Sequence, residues 1–234
     1  MSDIVIIGGG SWGLAMAHLL SHNHQVRVWE FNPEYVKELT ETRYNSVLLP
    51  HIKMSQNILF SHQKDTIFNQ FDPDLLIIAT PVAYVRQTIR DFVPFIQKCS
   101  NLKTIVNLAK GLEQESLKRM SEVLKDELPT EFHSIIATLS GPSHAEEVAK
   151  KIPTTVVIAG SDPEAITYAR NTISTPWFRA YSSYDIIGVE LGGTVKNIIA
   201  IAAGIIDGLG LGDNTKGALL TRGIAEIKRL GLAM

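Results

Sequence analysis

Short apolar runs alternate with helical stretches along the first two thirds of the chain. The apolar runs predicted as strands are Ile4–Ile7, Val26–Glu30, Leu75–Ala79, Thr104–Leu108, Ser134–Thr138 and Thr155–Ala159. Several are continuously apolar, as expected for parallel strands that are covered on both faces. Predicted helices lie between them, among them Leu14–Leu20, Tyr84–Phe92 and Gln114–Leu128. This alternation predicts an α/β fold built on a doubly wound parallel sheet.

The pattern changes near Tyr184, beyond which the sequence contains only Gly- and Ala-rich helical stretches. One long helix is predicted over Asp185–Asp207, followed by a glycine turn over Gly208–Gly212. A second helix is predicted from about Thr215, with Asp213 or Asn214 as its cap, an apolar face and an Arg222–Glu226 pair. The chain is therefore predicted to contain an α/β domain over residues 1–183 and the start of an all-α C-terminal domain over residues 184–234.

Composition narrows the function classes. Hydrophobic residues make up 45% and charged residues 20% of the 234 residues, which is typical of a soluble protein. The formal net charge of −2 argues against a nucleic-acid partner. The single cysteine, Cys99, excludes an intrachain disulfide and favours a cytoplasmic location. The apolar stretch Ile186–Ile206 is interrupted by charges, which predicts a buried helix and no membrane span. His18 and His22 have no acidic partner in a known metal-binding pattern, so no metal site is predicted.

The first strand leads into a glycine loop. The loop, Gly8-Gly9-Gly10-Ser11-Trp12-Gly13, fits the pattern G-x-G-x-x-G, and it lies between an apolar strand and an Ala/Leu-rich helix. Gly8 would permit the tight turn, Gly10 would let a pyrophosphate approach the backbone, and Gly13 would let the helix pack closely on the strand. The following helix N-terminus would bind the phosphates. The sequence therefore predicts a Rossmann-type dinucleotide-binding domain.

Two strand ends bear on the choice of cofactor. Glu30 ends the second strand, where a carboxylate accepts hydrogen bonds from the adenosine ribose and repels a 2′-phosphate. Phe31 follows it in place of a basic residue, so NAD is favoured over NADP. The alternative for Glu30 is a solvated charge at a strand end. Pro81 follows another strand and either borders the cofactor crevice or only terminates that strand.

Two lysines next to glycines are the candidate proton-transfer groups. Lys110 directly follows a strand, which places it at the carboxyl edge of the sheet. Lys196 lies within the long predicted helix, with Gly192 and Gly193 one turn before Lys196 and Asn197. Two glycines within a helix cost about 1 kcal/mol each, which indicates that the space they leave is used by a ligand or by close packing. Desolvation would lower the pKa of such a lysine towards the range of a general acid/base. The alternative is tight helix packing with Lys196 extended to water.

Several motifs together resemble those of the NAD(P)-dependent glycerol-3-phosphate dehydrogenase family. The matches cover nearly the whole chain in the family's order: Gly8–Gly13, Asn45 through Pro50, Lys110–Glu113, Ser140–Ala145, Gly193–Ala200 and Gly208–Lys216. The resemblance implies interconversion of dihydroxyacetone phosphate and sn-glycerol 3-phosphate, a phosphorylated triose and polyol, in support of phospholipid synthesis. It also implies a homodimer for the full-length protein.

The resemblance further assigns roles to single residues. Lys196 matches the general acid/base, Asn197 a residue beside the substrate, and Lys110 a residue that contacts both substrate and cofactor. Gly141 and Ser143 match the substrate loop. Ser11, Trp12 and Ala145 match residues that line the nucleotide, and Phe31 matches a position where many bacterial members carry Arg or His for NADP.

The resemblance also predicts a fragment. The family continues through further helices, including an Asp-Leu segment and a Ser-Arg-Asn motif that binds the substrate phosphate, whereas this sequence ends at Met234. A truncated, catalytically silent nucleotide-binding module is therefore one alternative. Another is a related β-hydroxyacid dehydrogenase, although in that family three residues separate the lysine from the asparagine, which are adjacent here as Lys196 and Asn197.

Overall fold

Eight strands form a single sheet in the computed structural model, which describes residues 1–234. The strands are β1 (Asp3–Ile7), β2 (Gln25–Trp29), β3 (Ile58–Ser61), β4 (Leu75–Ile78), β5 (Thr104–Asn107), β6 (Ile136–Ser140), β7 (Thr154–Gly160) and β8 (Phe178–Ser183). Their order across the sheet is β3-β2-β1-β4-β5-β6-β7-β8. The first three strands proceed from β1 outward to β3, and the chain then returns to place β4 on the other side of β1. This reversal of the strand order beside β1 confirms the predicted Rossmann-type fold.

Nine α-helices connect or follow the strands. They are α1 (Ser11–Leu20), α2 (Pro33–Thr42), α3 (Lys64–Phe68), α4 (Val82–Ile96), α5 (Met120–Glu127), α6 (Ala145–Ala149), α7 (Pro163–Ile173), α8 (Ile186–Gly208) and α9 (Gly212–Ala233). Asp185 caps α8 by accepting a hydrogen bond from the backbone N–H of Gly188 at 2.8 Å. The long helix predicted near this position is therefore present with almost the predicted limits.

The sheet departs from the prediction in three places. β6 begins two residues later than predicted and pairs with β7 in the antiparallel direction, although all other neighbours are parallel. β3 and β8 were not predicted. Both are edge strands. β3 has an apolar run of only three residues, Ile58–Phe60, and in β8 buried Phe178 is followed by exposed Arg179, so β8 lacks the continuous apolar run that marks a doubly covered strand.

Two helix starts were also predicted wrongly. The predicted helix Gln114–Leu128 is shortened to α5. Leu117 adopts a positive φ of 57°, which lies outside the right-handed helical region, so a helix cannot continue through that segment. α9 begins at Gly212, so Asp213 and Asn214 lie in its first turn and do not cap it. The predicted Arg222–Glu226 pair on α9 is present, with an N–O distance of 3.2 Å.

Alternate residues of the central strands build two separate cores, one on each face of the sheet. Ile4 and Ile6 of β1 pack into the core that also contains α1 and α7, whereas Val5 and Ile7 pack with α4 and α5. All four side chains are fully buried. The period of two along each strand therefore fixes both layers of helices to the sheet.

The C-terminal helices are less buried than predicted. α8 contacts β6 and β7 through its first half and then pairs with α9, while apolar side chains such as Ile198, Ile201 and Ile224 remain well exposed. By length and composition alone, α8 is a candidate for a membrane-crossing helix. The expectation of a buried helix was wrong for most of α8, in which only Glu190, Leu191, Gly193 and Ile206 are buried. The predicted domain boundary falls between β8 and α8, and the division into two domains stays a prediction.

The edge strand β8 provides a test of how the sheet is stabilised. Phe178 is completely buried and Tyr181 on the same strand is 49% exposed. We expect Phe178→Ala to lower the free energy of unfolding by about 3–5 kcal/mol because it leaves a cavity in the core. The matched variant Tyr181→Ala should change it by only about 0.5 kcal/mol. Urea unfolding followed by circular dichroism measures both, and equal losses would contradict a role for β8 in the cooperative core.

Candidate active site

The parallel register brings four chain segments to one edge of the sheet. Ile7 at the end of β1 pairs with Ile78 of β4, Ile78 pairs with Asn107 of β5, and Asn107 pairs with Thr138 of β6. The residues that follow these positions therefore leave the sheet side by side, at the carboxyl edge. In open α/β sheets this edge, at the point where the strand order reverses, is where ligands bind.

The glycine loop has the backbone shape that the sequence predicted. Gly8 has a φ of 116°, and a side chain there would collide with the backbone of Ala79 and Thr80. A side chain at Gly13 would collide with the carbonyl oxygen of Gly8. Gly10 is the N-cap of α1, has open space beside it and provides no side-chain cap. The first-turn N–H groups of α1 are thus left for an anion, as in dinucleotide-binding loops.

Unpartnered polar atoms near the loop support a fit to a dinucleotide. Trp12 Nε1 and Thr80 Oγ1 are buried and have no hydrogen-bond partner within the chain, which is unusual for buried polar groups. The hydroxyl of Ser11 is different, because it donates to the carbonyl oxygen of Leu48 at 2.5 Å. Ser11 can therefore offer a ligand its backbone N–H, while its side chain ties α1 to the segment around Leu48.

Glu30 lies directly after β2, beside the loop. Its Oε2 accepts from the Gly9 N–H at 2.8 Å and its Oε1 accepts from the Asn32 N–H at 2.9 Å. Each carboxylate oxygen has further lone pairs, so both remain able to accept from a ribose. Phe31 is 80% exposed, and Pro81 is an exposed N-cap of α4. Glu30 is therefore held in place by two backbone N–H groups, and its role at a ribose stays a prediction.

The two predicted lysines point into the same region. Lys110 Nζ donates to Ser143 Oγ at 3.1 Å, and Lys196 Nζ donates to the carbonyl oxygen of Gly141 at 2.8 Å. Burial and the nearby charge of Lys196 lower the pKa of Lys110 to about 8. Burial also lowers the pKa of Lys196. Lys110 additionally lies over the Trp12 ring, 5.8 Å from its centroid, which joins the lysine pair to the glycine loop.

The two adjacent glycines of α8 that precede Lys196, Gly192 and Gly193, differ in their surroundings. A side chain at Gly193 would collide with Ser140 Oγ and lie 3.8 Å from Lys110 Cγ, whereas Gly192 faces open space. Gly193 thus serves close packing of α8 on the end of β6, and Gly192 leaves room near Lys196. Lys196 itself points inward, so the alternative of a lysine extended to water is not observed. Asn197, at the next position, is exposed.

The loop after β6 completes this region. A side chain at Gly141 would lie 2.9 Å from the carbonyl oxygen of Thr155, so only glycine fits there without displacement. Ala145 begins α6 and packs against the same core as Trp12. The predicted site residues of the glycine loop, the Lys110 segment, the Gly141 loop and α8 therefore lie at one edge of the sheet. No cluster of three or more metal-binding side chains occurs in the structure.

Sequence reasoning missed two ionic contacts that support this region. Buried Glu190 of α8 accepts from Arg119 at 2.9 Å, and Arg86 of α4 forms a bidentate pair with Glu113, three residues after Lys110. In the sequence, Glu190 is one of the charges that interrupt the apolar stretch Ile186–Ile206. A carboxylate within an otherwise apolar helix was the signal for a buried partner, because such a charge is costly when unpaired.

Two family models match the chain. The N-terminal domain model of NAD-dependent glycerol-3-phosphate dehydrogenase matches residues 3–166, and the C-terminal domain model of the same family matches residues 185–234. The first match alone covers more than half of the chain. The family that matches is the one indicated by the motifs, and the β-hydroxyacid dehydrogenase alternative is not supported.

Individual relatives agree with the family match. A Fusobacterium nucleatum protein named glycerol-3-phosphate dehydrogenase (NAD(P)+) is 44% identical over the whole chain, which covers 68% of that protein. A Bacillus subtilis protein of the same name is 43% identical, and the chain covers 67% of it. The crystal structure of glycerol-3-phosphate dehydrogenase from Coxiella burnetii superposes with a TM-score of 0.86 at 34% identity, covering 98% of this chain and 68% of that one. The chain therefore belongs to the NAD-dependent glycerol-3-phosphate dehydrogenase family, as an oxidoreductase that uses NAD or NADP.

Proposed function

We propose that this chain interconverts dihydroxyacetone phosphate and sn-glycerol 3-phosphate, with Lys196 as the general acid/base and NAD as the preferred cofactor. The observation that carries the proposal is the convergence of Lys110 and Lys196 on the loop at Gly141 and Ser143. Two ammonium groups in a partly buried site attract an anionic substrate, and a phosphorylated triose supplies that charge. The family relatives carry this activity in their names.

The proton step is assigned to Lys196. When bound, the nicotinamide supplies the hydride that adds two electrons to the ketone carbon. Lys196 donates a proton to the carbonyl oxygen as it becomes a hydroxyl, and water returns a proton to the amine. In the oxidative direction the neutral amine takes the hydroxyl proton. Burial favours this role because it lowers the pKa of Lys196 and so makes the proton easier to transfer.

Lys110 is assigned an electrostatic role. With a pKa of about 8 it is mostly charged at neutral pH, and its ammonium lies within hydrogen-bonding distance of Ser143. A fixed positive charge at this position stabilises negative charge that develops on the substrate oxygen. Gly141 and Ser143 hold the two lysines through their oxygens, and Asn197, exposed beside Lys196, is available to a bound substrate.

The choice of NAD rests on the strand end after β2. Glu30 is fixed by two backbone N–H groups and would repel a 2′-phosphate, and exposed Phe31 adds no positive charge beside it. In this proposal Gly8, Gly10, Gly13 and the backbone of Ser11 bind the pyrophosphate, while Trp12, Pro81 and Ala145 border the cofactor. Residues 1–183 form the dinucleotide-binding domain and residues 184–234 belong to the substrate domain.

The wider setting is part of the same proposal. We infer a cytoplasmic enzyme that serves phospholipid synthesis, with a homodimer as the assembly of the full-length protein, no nucleic-acid partner and no membrane span. A single cysteine and a near-neutral net charge support this setting. The exposed apolar residues of α8 and α9 agree with a surface that is covered in a larger assembly.

Replacing Lys196 tests the proton step directly. We expect Lys196→Ala to lower the rate of NADH oxidation with dihydroxyacetone phosphate by about 10²–10⁴-fold, because the proton donor is lost. NADH binding, followed by fluorescence, should be retained. Lys228→Ala, which removes an exposed lysine of α9, is the matched control and should leave the rate unchanged. Unchanged turnover in Lys196→Ala would contradict the assignment, and no turnover in the unmodified chain would favour a silent module.

The pH dependence tests the role of Lys110. Because its pKa is lowered to about 8, Lys110 is charged below that pH and neutral above it. We expect kcat/KM for the reduction to fall as the pH rises through about 8, since the substrate then loses its electrostatic partner. In Lys110→Arg the charge persists, so this decrease should move to higher pH. An identical alkaline decrease in Lys110→Arg would assign it to another group.

A substitution beside Glu30 tests the cofactor preference. The unmodified chain should bind NADH more tightly than NADPH. Phe31→Arg should raise the affinity for NADPH relative to NADH by about tenfold, which corresponds to about 1.4 kcal/mol, because it adds a cation near the 2′-phosphate. Tyr181→Arg on β8 adds the same charge at the far edge of the sheet and should leave the ratio unchanged. Tighter binding of NADPH by the unmodified chain would refute the NAD preference.

A further inference from the structure

A buried carboxylate on α8 has no part in the chemistry described so far. Glu190 precedes Lys196 by six residues and is only 7% exposed. Its Oε1 accepts from the Ser121 N–H at 2.8 Å, and its Oε2 accepts from Ser121 Oγ at 2.7 Å and from Arg119 Nη1 at 2.9 Å. Three donors, one of them cationic, therefore stabilise a charge that would be costly if it were unpaired.

Arg119 belongs to the segment that begins with Lys110. Leu112 and Arg119 form an antiparallel bridge, and the Glu113 N–H donates to the Lys118 carbonyl oxygen at 2.9 Å, so residues 112–119 fold back like a hairpin. Arg119 lies at the end of this hairpin and Lys110 two residues before its start. The Glu190–Arg119 contact thus joins the helix that carries Lys196 to the segment that carries Lys110.

The contact lies next to the closest approach between α8 and the sheet. Gly193, one turn after Glu190, faces Ser140 Oγ and Lys110 Cγ. Within the first half of α8 only Glu190, Leu191 and Gly193 are buried. Leu191 and Gly193 provide apolar contact that has no strong direction. The hydrogen bonds of Glu190 are directional, as is the bond from Lys196 to the Gly141 carbonyl oxygen, and they restrain this end of α8.

We propose that Glu190 and Arg119 are positioning residues that set the separation and orientation of the Lys110 and Lys196 ammonium groups. This inference rests on the proposed function for its catalytic meaning. Neither residue touches the reacting atoms. The contact holds α8 against the Lys110 hairpin, so that both ammonium groups act on one substrate molecule.

A purely structural ion pair would behave differently. Removing one partner of a buried pair destabilises a protein wherever the pair lies, and this loss alone says nothing about the lysines. A positioning role also changes how the lysines titrate. The pKa of Lys110 is lowered by burial and by Lys196, so separating α8 from the hairpin should hydrate Lys110, weaken that repulsion and raise its pKa from about 8 towards the ordinary lysine value.

Two variants that remove charges of opposite sign distinguish a positioning role from a direct electrostatic effect on the lysines. Glu190→Gln removes a negative charge, which through the field alone would lower the pKa of a nearby lysine, and Arg119→Gln removes a positive charge, which would raise it. Positioning predicts an upward shift in both. Glu226→Gln on α9 is the matched control, because Glu226 is likewise a helix carboxylate paired with arginine, here Arg222 and Arg229, but it lies on the surface.

The experiment uses the 234-residue chain. Competitive acetylation at a series of pH values, read by peptide mass spectrometry, gives the titration midpoints of Lys110 and Lys196 without any need for turnover. We expect the Lys110 midpoint to rise by about one pH unit in both Gln variants and to stay near 8 in Glu226→Gln. In parallel, kcat with dihydroxyacetone phosphate should fall about 10–100-fold, since small misplacements carry large penalties, while the Kd for NADH changes little.

The outcomes are distinct. Midpoints that do not move, or that move in opposite directions in Glu190→Gln and Arg119→Gln, overturn the positioning role even if turnover is lost. Shifted midpoints in a chain that never reduces dihydroxyacetone phosphate refute the proposed function and leave the positioning role intact. Where a Gln variant does not fold, as judged by circular dichroism, Ser121→Ala replaces it. This milder variant removes one donor to Glu190, and an unchanged Lys110 midpoint in it then overturns the proposal.

Discussion

The repulsion between two neighbouring ammonium groups is the constraint around which this site is organised. Lys110 and Lys196 approach each other in a partly buried region, and part of the lowered pKa of Lys110 comes from the charge of Lys196. The chain offers them only neutral oxygens, from Ser143 and from the carbonyl of Gly141. Such an arrangement is stable only if the surrounding packing enforces it, and an anion is the ligand that relieves it.

The packing that enforces it comes from two directions. Parallel strands deliver Lys110 and the Gly141 loop to the same edge, because β5 and β6 run in register. The helix α8 then places Lys196 over that edge at the closeness that Gly193 permits. Glu190 and Arg119 hold the two parts together. The proposed catalytic arrangement would therefore depend on supporting contacts as much as on the reacting groups.

The cofactor side of the site obeys a separate constraint, the space available to the backbone. Gly8 and Gly13 allow strand, loop and helix to approach one another more closely than any side chain would. Glu30 then accepts hydrogen bonds from the loop and from the next turn, so that the residue proposed to discriminate between cofactors is held against the glycine loop. The dinucleotide half and the lysine half meet at Trp12, over which Lys110 lies.

The amino-acid sequence by itself determined the features that depend on local pattern. The apolar runs of β1, β4 and β5, the glycine loop, the Asp185-capped helix and the candidate residues Glu30, Lys110 and Lys196 all follow from spacing and residue type. The edge strands β3 and β8, the antiparallel pairing of β6 with β7 and the short α5 did not. The apolar run of β3 is short, β8 alternates buried and exposed residues, and strand direction is set by neighbours remote in sequence. The exposure of α8 and the Glu190–Arg119 contact, between residues 71 positions apart, were likewise decided only by the tertiary structure. The partner of a buried charge is determined by the groups that lie near it in the folded structure, and the spacing of residues along the chain does not reveal which groups these are.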